Sequence, residues 1–140
     1  LDLVANEVKP DFIRVEADEI TYNLHIMIRY EIEKMIFNEG LAVKDIPATW
    51  NKMMKDWFGI DVPTDSLGCL QDIHWSMGAF GYFPTYTLGN LYAAQLLHTM
   101  SKELGNIEEI ISSGDWSSML KWLRTRIHEN GSVMTPSKLI

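Results

Sequence analysis

Cysteine and basic residues are scarce in this 140-residue chain. Cys69 is the only cysteine, which excludes a disulfide framework within the chain and is compatible with a reducing cytoplasm. There are 12 Lys and Arg against 19 Asp and Glu, so the formal net charge is −7. This balance argues against a nucleic-acid or anionic-membrane partner, because both select for clustered Lys and Arg. No uninterrupted apolar run reaches the length needed to span a bilayer.

Histidine pairs at metal-binding spacing are also absent. The chain has four histidines, His25, His74, His98 and His128. A His-Glu-x-x-His helix holds zinc between two imidazoles one turn apart, and no two of these histidines are four residues apart. The nearest approach, 128–132, ends in Ser and runs into a glycine that is expected to end a helix. We therefore expect no metal ligands, and no bound zinc, in this chain.

Apolar residues at three- and four-residue steps predict an all-α fold, a bundle of about five to six helices. The predicted helices run from 17 or 18 to 38, and over 47–57, 68–74, 84–104, 107–112 and 116–129. The glycine-containing run 76–83 is expected to be an irregular strand or a loop. We expect one helical domain over 1–140, with loop or tail at 1–12 and 132–140.

Local signals support several of these helix boundaries. Asp18 puts negative charge in a first turn, and Pro47 suits a first helical position, where a missing N–H costs nothing. Asn106 and Asp115 are predicted caps, and Gly59 is a predicted helix end. The helix at 18–38 has apolar residues on several faces, so we expect it to be buried on several sides.

Polar and aromatic residues concentrate in the run 68–86. His74 lies between Ile73 and Trp75, where it can donate a hydrogen bond to an oxyanion, an interaction worth roughly 3 kcal/mol. A histidine in an apolar stretch is, however, more often a satisfied structural residue. Asp72 can orient His74, pair with an arginine, or lie on a solvent-facing surface. Gln71 can bind a peptide amide or cap backbone groups.

Two tyrosines follow this run. Tyr82 and Tyr86 lie four residues apart around Pro84, so both hydroxyls can point into one cleft. A phenol donates a hydrogen bond without charge, which suits a developing oxyanion. Aromatic residues near a proline are nevertheless usually packing residues.

Two motifs in order resemble a known family. Gly-x-x-Gln-Asp-x-His-Trp at 68–75 and Ile-Arg-Val-Glu-Ala-Asp at 13–18 are similar to patterns of the M32 zinc carboxypeptidases, the Taq carboxypeptidase family. The resemblance implies a larger helical gluzincin-type metallopeptidase fold. It also implies a cytosolic homodimer that uses zinc, held by a His-Glu-x-x-His helix and a further Glu, to release C-terminal amino acids from peptides.

Because the zinc motif is missing, we expect the chain to be the C-terminal part of such an enzyme, a truncated or partially sequenced product that is inactive without the zinc-bearing N-terminal region. The resemblance implies catalytic roles for His74 and for one of Tyr82 and Tyr86, with a preference for Tyr82. It implies substrate-side roles for the polar residues of the two motifs, which are Arg14, Gln71 and Asp72.

Arg14 is the preferred ligand for the substrate carboxylate, because a guanidinium grips a carboxylate with two parallel bonds. Its alternative partners are the acids of its own segment, Glu16, Asp18 and Glu19. Arg29 is the alternative carboxylate ligand, although a solvated salt bridge with its helical neighbours at 31–33 is its default role.

Two other functions stay open. The chain can be a free-standing, non-catalytic α-helical interaction module derived from the same fold. It can also be an enzyme of different chemistry that uses His74 with Asp72 as a base, but Ser76 and Cys69 lack a context that would activate either as nucleophile. Apolar faces that pack on a missing region would be left exposed and would promote self-association.

Overall fold

The computed structural model describes residues 6–139, which form helices joined by turns, with no β-strand in that range. We number the α-helices α1 (Glu19–Asn38), α2 (Ile46–Phe58), α3 (Pro84–Leu104), α4 (Ile107–Ser113), α5 (Ser117–Arg126) and α6 (Pro136–Leu139). Single 3₁₀ turns lie at Arg14–Glu16, Val43–Asp45, Asp65–Leu67 and His128–Asn130. The all-α prediction is confirmed. None of the helices in the described range combines the length and hydropathy of a bilayer span.

Asp18 begins α1 as a side-chain cap. One carboxylate oxygen accepts hydrogen bonds from the backbone N–H groups of Ile20 and Thr21, at 2.9 and 2.8 Å. The other accepts from the Thr21 hydroxyl and from the backbone N–H of Lys9, at 2.8 and 3.0 Å. The cap satisfies donors that the first helical turn leaves free and ties the preceding segment to the helix.

Helix α2 shows the expected proline and glycine signals. Pro47 lies in its first turn. At its end Gly59 adopts φ 74°, a left-handed conformation that glycine takes without steric cost, and its N–H donates to the Lys55 carbonyl.

The chain divides into two compact units between Thr87 and Leu88. In the first unit, the core lies between α1 and α2. It consists of Ile28, Ile32, Trp50, Met53, Met54, Phe58 and Cys69. The expectation that 1–140 is a single domain stays a prediction.

Helix α1 is buried on one side only, which corrects the expectation that it is buried on several. Four of its large apolar side chains are 45% to 68% exposed: Ile20, Met27, Tyr30 and Phe37. The buried side instead contains a polar row at four-residue spacing, Thr21, His25, Arg29 and Glu33. Such a row needs polar partners from other segments, because a buried polar group without one is costly.

The predicted helix at 68–74 is wrong, because residues 68–83 form consecutive turns. The side-chain amide of Gln71 donates to the carbonyl of Phe12 at 2.9 Å and to that of Gly68 at 3.1 Å. The bond to Gly68 gives its carbonyl a partner that a helix would otherwise provide, and the bond to Phe12 ties the turns to a distant segment. A Cβ atom at Gly68 would lie 3.0 Å from a methyl of Val62, so the close approach there favours glycine.

The second unit has its own small core of Met100, Ile107 and Trp122. The predicted cap of α4 is confirmed, since the Asn106 side chain accepts from the N–H groups of Glu108 and Glu109. Asp115 accepts from the N–H of Ser117 at 3.0 Å at the start of α5.

The end of the second unit differs from its prediction in two places. Helix α5 ends at Arg126, earlier than expected, because the Asn130 side chain donates to the carbonyls of Thr125 and Arg126 that a longer helix would use. The last residues, expected to be a tail, include the one-turn helix α6, which begins at Pro136.

Candidate functional site

Asp72 lies between two arginines in the first unit. One carboxylate oxygen accepts from Nε and a terminal nitrogen of Arg14, at 3.2 and 2.7 Å. The other accepts from Nε of Arg29 at 2.7 Å and lies 2.6 Å from a terminal nitrogen of the same residue. Burial opposes the charge on Asp72, but the hydrogen bond from Arg14 and the charge of Arg29 outweigh it, so its pKa lies below the ordinary value. The carboxylate is therefore ionised at neutral pH.

Arg29 is the most deeply buried charge of this cluster. Its remaining N–H groups donate to the backbone carbonyl of His25 at 2.7 Å and to the Gln71 side chain at 2.8 Å. The guanidinium also lies over the Trp50 ring, 4.6 Å from its centroid. Burial lowers the pKa of Arg29 to about 10, with Asp72 opposing the shift, so the side chain stays cationic at neutral pH.

Arg14 lies at the edge of the same cluster. Besides Asp72, it donates to the Tyr22 hydroxyl at 3.0 Å, and its guanidinium lies 5.0 Å from the centroid of Tyr86. Burial lowers the pKa of Arg14, but the bond to Asp72 and its charge more than offset this, and the pKa is raised. The structure brings Arg14 and Asp72 together across 58 residues of sequence.

The local ion-pair alternatives for both arginines are wrong. Arg14 pairs with Asp72 and not with an acid of its own segment, and Arg29 pairs with Asp72 and not with its helical neighbours. Asp72 itself is only 12% exposed, so it is not a solvent-facing acid. Asp72 lies 58 residues from Arg14 and 43 residues from Arg29 in sequence, so local spacing could not identify it as their partner.

Gln71 connects this cluster to the backbone. Its side-chain oxygen accepts from the backbone N–H of Arg14 and from a terminal nitrogen of Arg29, both at 2.8 Å. Its amide donates to the carbonyl of Phe12 in the segment before Arg14, and to the carbonyls of Leu67 and Gly68 just before Gln71 itself. The interpretation of Gln71 as a cap for backbone groups is therefore confirmed, and its role toward a peptide stays a prediction.

His74 and Tyr86 form the candidate catalytic pair. The Tyr86 hydroxyl lies 3.0 Å from Nε2 of His74, and either group can be the donor, depending on the imidazole tautomer. The other ring nitrogen, Nδ1, is buried and lies 3.9 Å from a carboxylate oxygen of Asp72. The ring of Phe83 packs against the imidazole at 4.4 Å between centroids. The imidazole is thus held between a phenol, a carboxylate and an aromatic ring.

Tyr82 lies beside this pair on the solvent side. Its ring is 5.5 Å from that of His74 and 5.5 Å from that of Tyr86, and the side chain is 50% exposed. The structure therefore brings both tyrosines to His74, with Tyr86 bonded to it and Tyr82 open to solvent. Which of them is catalytic stays a prediction.

Sequence reasoning missed two buried polar residues of α1. His25 is fully buried against Phe58, and its ring nitrogens have no hydrogen-bond partner among the described residues. Burial, together with the charges of Arg29 and Arg14, lowers the pKa of His25 to about 4. Glu33 accepts bonds from the segment that follows His74. The four-residue spacing of these polar residues with Arg29 was the available signal.

The nucleophiles of the alternative chemistry remain unsuited to it. Cys69 is buried, and burial together with the charge of Asp65 raises its pKa, which disfavours a reactive thiolate. The Ser76 hydroxyl donates to the carbonyl of Ile73 at 2.8 Å. His74 bonds to a phenol, and within residues 6–139 it makes no hydrogen bond to Cys69 or Ser76.

The described residues do not fit a catalytic metal. Within 6–139, no three His, Cys, Asp or Glu side chains are grouped as metal ligands would be. Asp72 lies 3.9 Å from Nδ1 of His74, and its two oxygens already accept hydrogen bonds from arginines. We therefore assign no metal ligand in this part of the chain.

Known proteins resemble this chain over nearly all of its length. Carboxypeptidase 1 of Bacillus subtilis is 48% identical over 135 residues, which are 96% of this chain and 27% of that protein. Thermostable carboxypeptidase 1 of Thermus thermophilus is 47% identical, with 96% of this chain and 26% of that protein covered. The chain therefore spans about a quarter of the length of these curated relatives.

Solved structures show the same fold. Trypanosoma cruzi metallocarboxypeptidase 1 matches with a TM-score of 0.93 and 41% identity, over 98% of this chain and 29% of that one. A carboxypeptidase of Pyrococcus furiosus matches with a TM-score of 0.94 and 44% identity, over 98% of this chain and 28% of that one. The model of the carboxypeptidase Taq (M32) metallopeptidase family matches residues 3–140. With this match, the two motifs and the shared helical fold, the chain belongs to the M32 metallopeptidase family.

Proposed function

We propose that this chain is the C-terminal, substrate-side part of a zinc metallocarboxypeptidase that releases C-terminal amino acids from peptides. The observation that carries the proposal is the hydrogen bond between His74 and Tyr86, beside a carboxylate that is held by two buried arginines. The imidazole and the phenol can both donate hydrogen bonds, and both can be directed at one point. Such a pair suits the carbonyl oxygen of a peptide bond as it gains negative charge.

Within this proposal His74 and a tyrosine act on the oxyanion. When Nε2 carries the proton, it donates to the Tyr86 oxygen in the free site. A bound oxyanion can take the place of that acceptor, and the Tyr86 O–H can then donate to the same oxyanion. Tyr82 is half exposed next to the same ring, and its hydroxyl can supply a further donor. A preorganised donor of this kind is typically worth about 3 to 4 kcal/mol of transition-state stabilisation.

Arg14 is the proposed ligand of the substrate carboxylate, and its geometry favours it over Arg29. Arg29 has a side chain that is 1% exposed, and its guanidinium is surrounded by Asp72, Gln71 and a backbone carbonyl. Arg14 is 8% exposed in its side chain and uses three of its five N–H groups in the described bonds. The same bonds also support a second role for Arg14, which is to hold Asp72 in place.

Zinc, a homodimer and a cytoplasmic location are proposed for the whole protein. The described residues do not supply a metal site, so the zinc ligands would come from a region outside them. We propose that the chain hydrolyses no peptide when it is alone.

A chimera tests the proposal. The matching segment of Bacillus subtilis carboxypeptidase 1 is replaced by this chain, and hydrolysis is measured on an N-blocked dipeptide with a free carboxylate and on its C-terminal amide. We expect cleavage of the acid only. His74→Phe and Tyr86→Phe each remove one donor and should each lower kcat by about 10²- to 10³-fold, as loss of an oxyanion donor does. His98→Phe is the matched control for His74→Phe, since this histidine lies at an exposed position of α3.

Unchanged kcat in both variants of a folded, metal-loaded chimera would contradict the roles of His74 and Tyr86. Cleavage of the amide as fast as the acid would contradict recognition of a free carboxylate. Either outcome leaves family membership intact, because that rests on the sequence and the fold.

The exposed apolar side of α1 favours the interaction module as the second candidate. Met27, Tyr30 and Phe37 lie at helical spacing on that side and are exposed. If the chain is an independent module, the isolated chain should be a monomer with one cooperative unfolding transition. If it is part of the enzyme, the isolated chain should self-associate through this surface, and Met27→Ser with Phe37→Ser should reduce its mass in light scattering.

A further inference from the structure

We propose that Glu33 is a positioning residue that holds the segment between His74 and Tyr86 in its working geometry. This inference rests on the proposed function of that pair. Glu33 belongs to neither family motif, and it lies on the buried polar row of α1, where it is 5% exposed.

Each carboxylate oxygen of Glu33 accepts one hydrogen bond from this segment. One oxygen accepts from the indole N–H of Trp75 at 2.8 Å, and the other accepts from the backbone N–H of Gly81 at 2.9 Å. These donors come 42 and 48 residues later in sequence. Trp75 directly follows His74, and Gly81 directly precedes Tyr82. One carboxylate thus ties both ends of the intervening turns to the same place on α1.

The segment depends on such a tie because its backbone is not held by a regular element. Residues 68–83 form turns, and Gly81 adopts φ 75°, a conformation that an L side chain takes only with strain. Inside the turns the Trp75 ring stacks on Phe80 at 6.5 Å and meets Phe83 edge-on at 6.0 Å. Phe83 in turn contacts the imidazole of His74. Movement of Trp75 would therefore be passed to His74 through Phe83 as well as through the backbone.

The chemistry of the site requires a carboxylate rather than another acceptor. Both partners are N–H donors, and an ionised carboxylate is an acceptor at both oxygens. A Gln side chain at 33 presents one oxygen and one NH₂ group, so it can accept from only one of the two donors. Hydrogen bonds to an ionised acceptor are also stronger than neutral ones.

The test measures the His74–Tyr86 hydrogen bond by NMR in the 140-residue chain. Tyr86→Phe removes the phenol hydroxyl. If that hydroxyl is hydrogen-bonded to His74, the ¹⁵N resonance of His74 Nε2 should shift. The same substitution is then made in Glu33→Ala, Glu33→Gln and Glu31→Gln backgrounds. Glu31 is the matched control, because it lies on the same helix and pairs with Lys34 at the surface.

We expect the ¹⁵N shift caused by Tyr86→Phe to fall at least about twofold in Glu33→Ala. The effects of two substitutions in one hydrogen-bond network are not additive. It should fall less in Glu33→Gln and stay unchanged in Glu31→Gln. The amide of Gly81 and the indole of Trp75 should lose their hydrogen-bonded shifts in Glu33→Ala. If Glu33→Ala does not fold, as judged from spectral dispersion, Glu33→Gln carries the comparison.

The outcomes separate this inference from the proposed function. If Tyr86→Phe moves the His74 resonance equally in all backgrounds while the Gly81 amide has shifted, Glu33 does not position the pair and the inference is overturned. If Tyr86→Phe leaves His74 unshifted in the wild-type background, the pair itself is absent and the proposed function fails first.

Discussion

A carboxylate oxygen of Asp72 lies 2.6 Å from a guanidinium nitrogen of Arg29, and the two side chains are only 12% and 1% exposed. The residues are 43 positions apart, so the ion pair connects α1 to the turns that contain His74. Removing two charges from water is costly, and this cost is offset only when the remaining lone pairs and N–H groups also find partners. Here Arg14, Gln71 and a backbone carbonyl provide them.

Asp72→Asn should be strongly destabilising. The substitution leaves Arg29 buried without its anion, and breaking one side of a buried pair typically costs about 3 to 5 kcal/mol. Urea unfolding followed by near-ultraviolet circular dichroism measures the loss. Asp56→Asn is the control, since it removes the exposed pair with Lys52 and should change the free energy of unfolding little. Equal effects of the two variants would contradict a structural role for the buried pair.

Arg29→Lys should also destabilise the first unit, although it preserves the charge. The planar guanidinium donates at once to Asp72, Gln71 and the carbonyl of His25, and a single ammonium cannot match these directions. We expect a lower urea midpoint for Arg29→Lys and an unchanged one for Arg124→Lys, which alters an exposed arginine of α5. A midpoint equal to that of the wild type would show that charge alone matters at this position.

His25 should make the fold sensitive to mild acid. Its pKa is about 4 in the folded protein and about 6.5 when unfolded, so between these values the unfolded state binds more protons. Stability should therefore fall as the pH drops from about 6.5 to 4, by about 3 kcal/mol at roughly 1.4 kcal/mol per pKa unit. His25→Leu should remove this part of the slope, as measured by urea unfolding at several pH values. His98→Gln, at an exposed position, is the control and should retain the slope.

Two methionines should differ sharply when truncated. Met54 is fully buried in the core between α1 and α2, and Met54→Ala should cost about 2 to 5 kcal/mol. Met27 is 47% exposed on the outer side of α1, so Met27→Ala should have a much smaller effect in the isolated chain. Thermal unfolding of both variants checks this. A large cost at Met27 would mean that the outer side of α1 is covered in solution.

Much of the helical framework could be predicted from local signals. Asp18, Pro47, Gly59 and Asn106 mark helix boundaries through contacts within a few residues, and the structure places these boundaries as expected. The run at 68–74 could not be predicted in this way. Its helical spacing is overridden by Gln71, whose amide bonds to the carbonyl of Phe12 almost sixty residues earlier.

The members of the candidate site could be named from the sequence, but their partners could not. The motif residues His74, Asp72 and Arg14 do come together, whereas local spacing suggested neighbouring acids as partners of Arg14. Glu33 and His25 were missed because a polar residue on a largely apolar helix has no local mark that shows which side faces inward. Their spacing with Arg29 becomes meaningful only when that side is known to be buried.

The sequence by itself determined the helical class, most helix boundaries and the family, because periodicity, caps and motifs depend on residues close together in the chain. Only the tertiary structure decided that Asp72 joins Arg14 to Arg29, that Tyr86 bonds to His74 and that Glu33 holds the turns beside them. The physical reason is desolvation. A buried polar group must find a partner wherever the packing brings one, and packing depends on the whole fold rather than on neighbours in sequence.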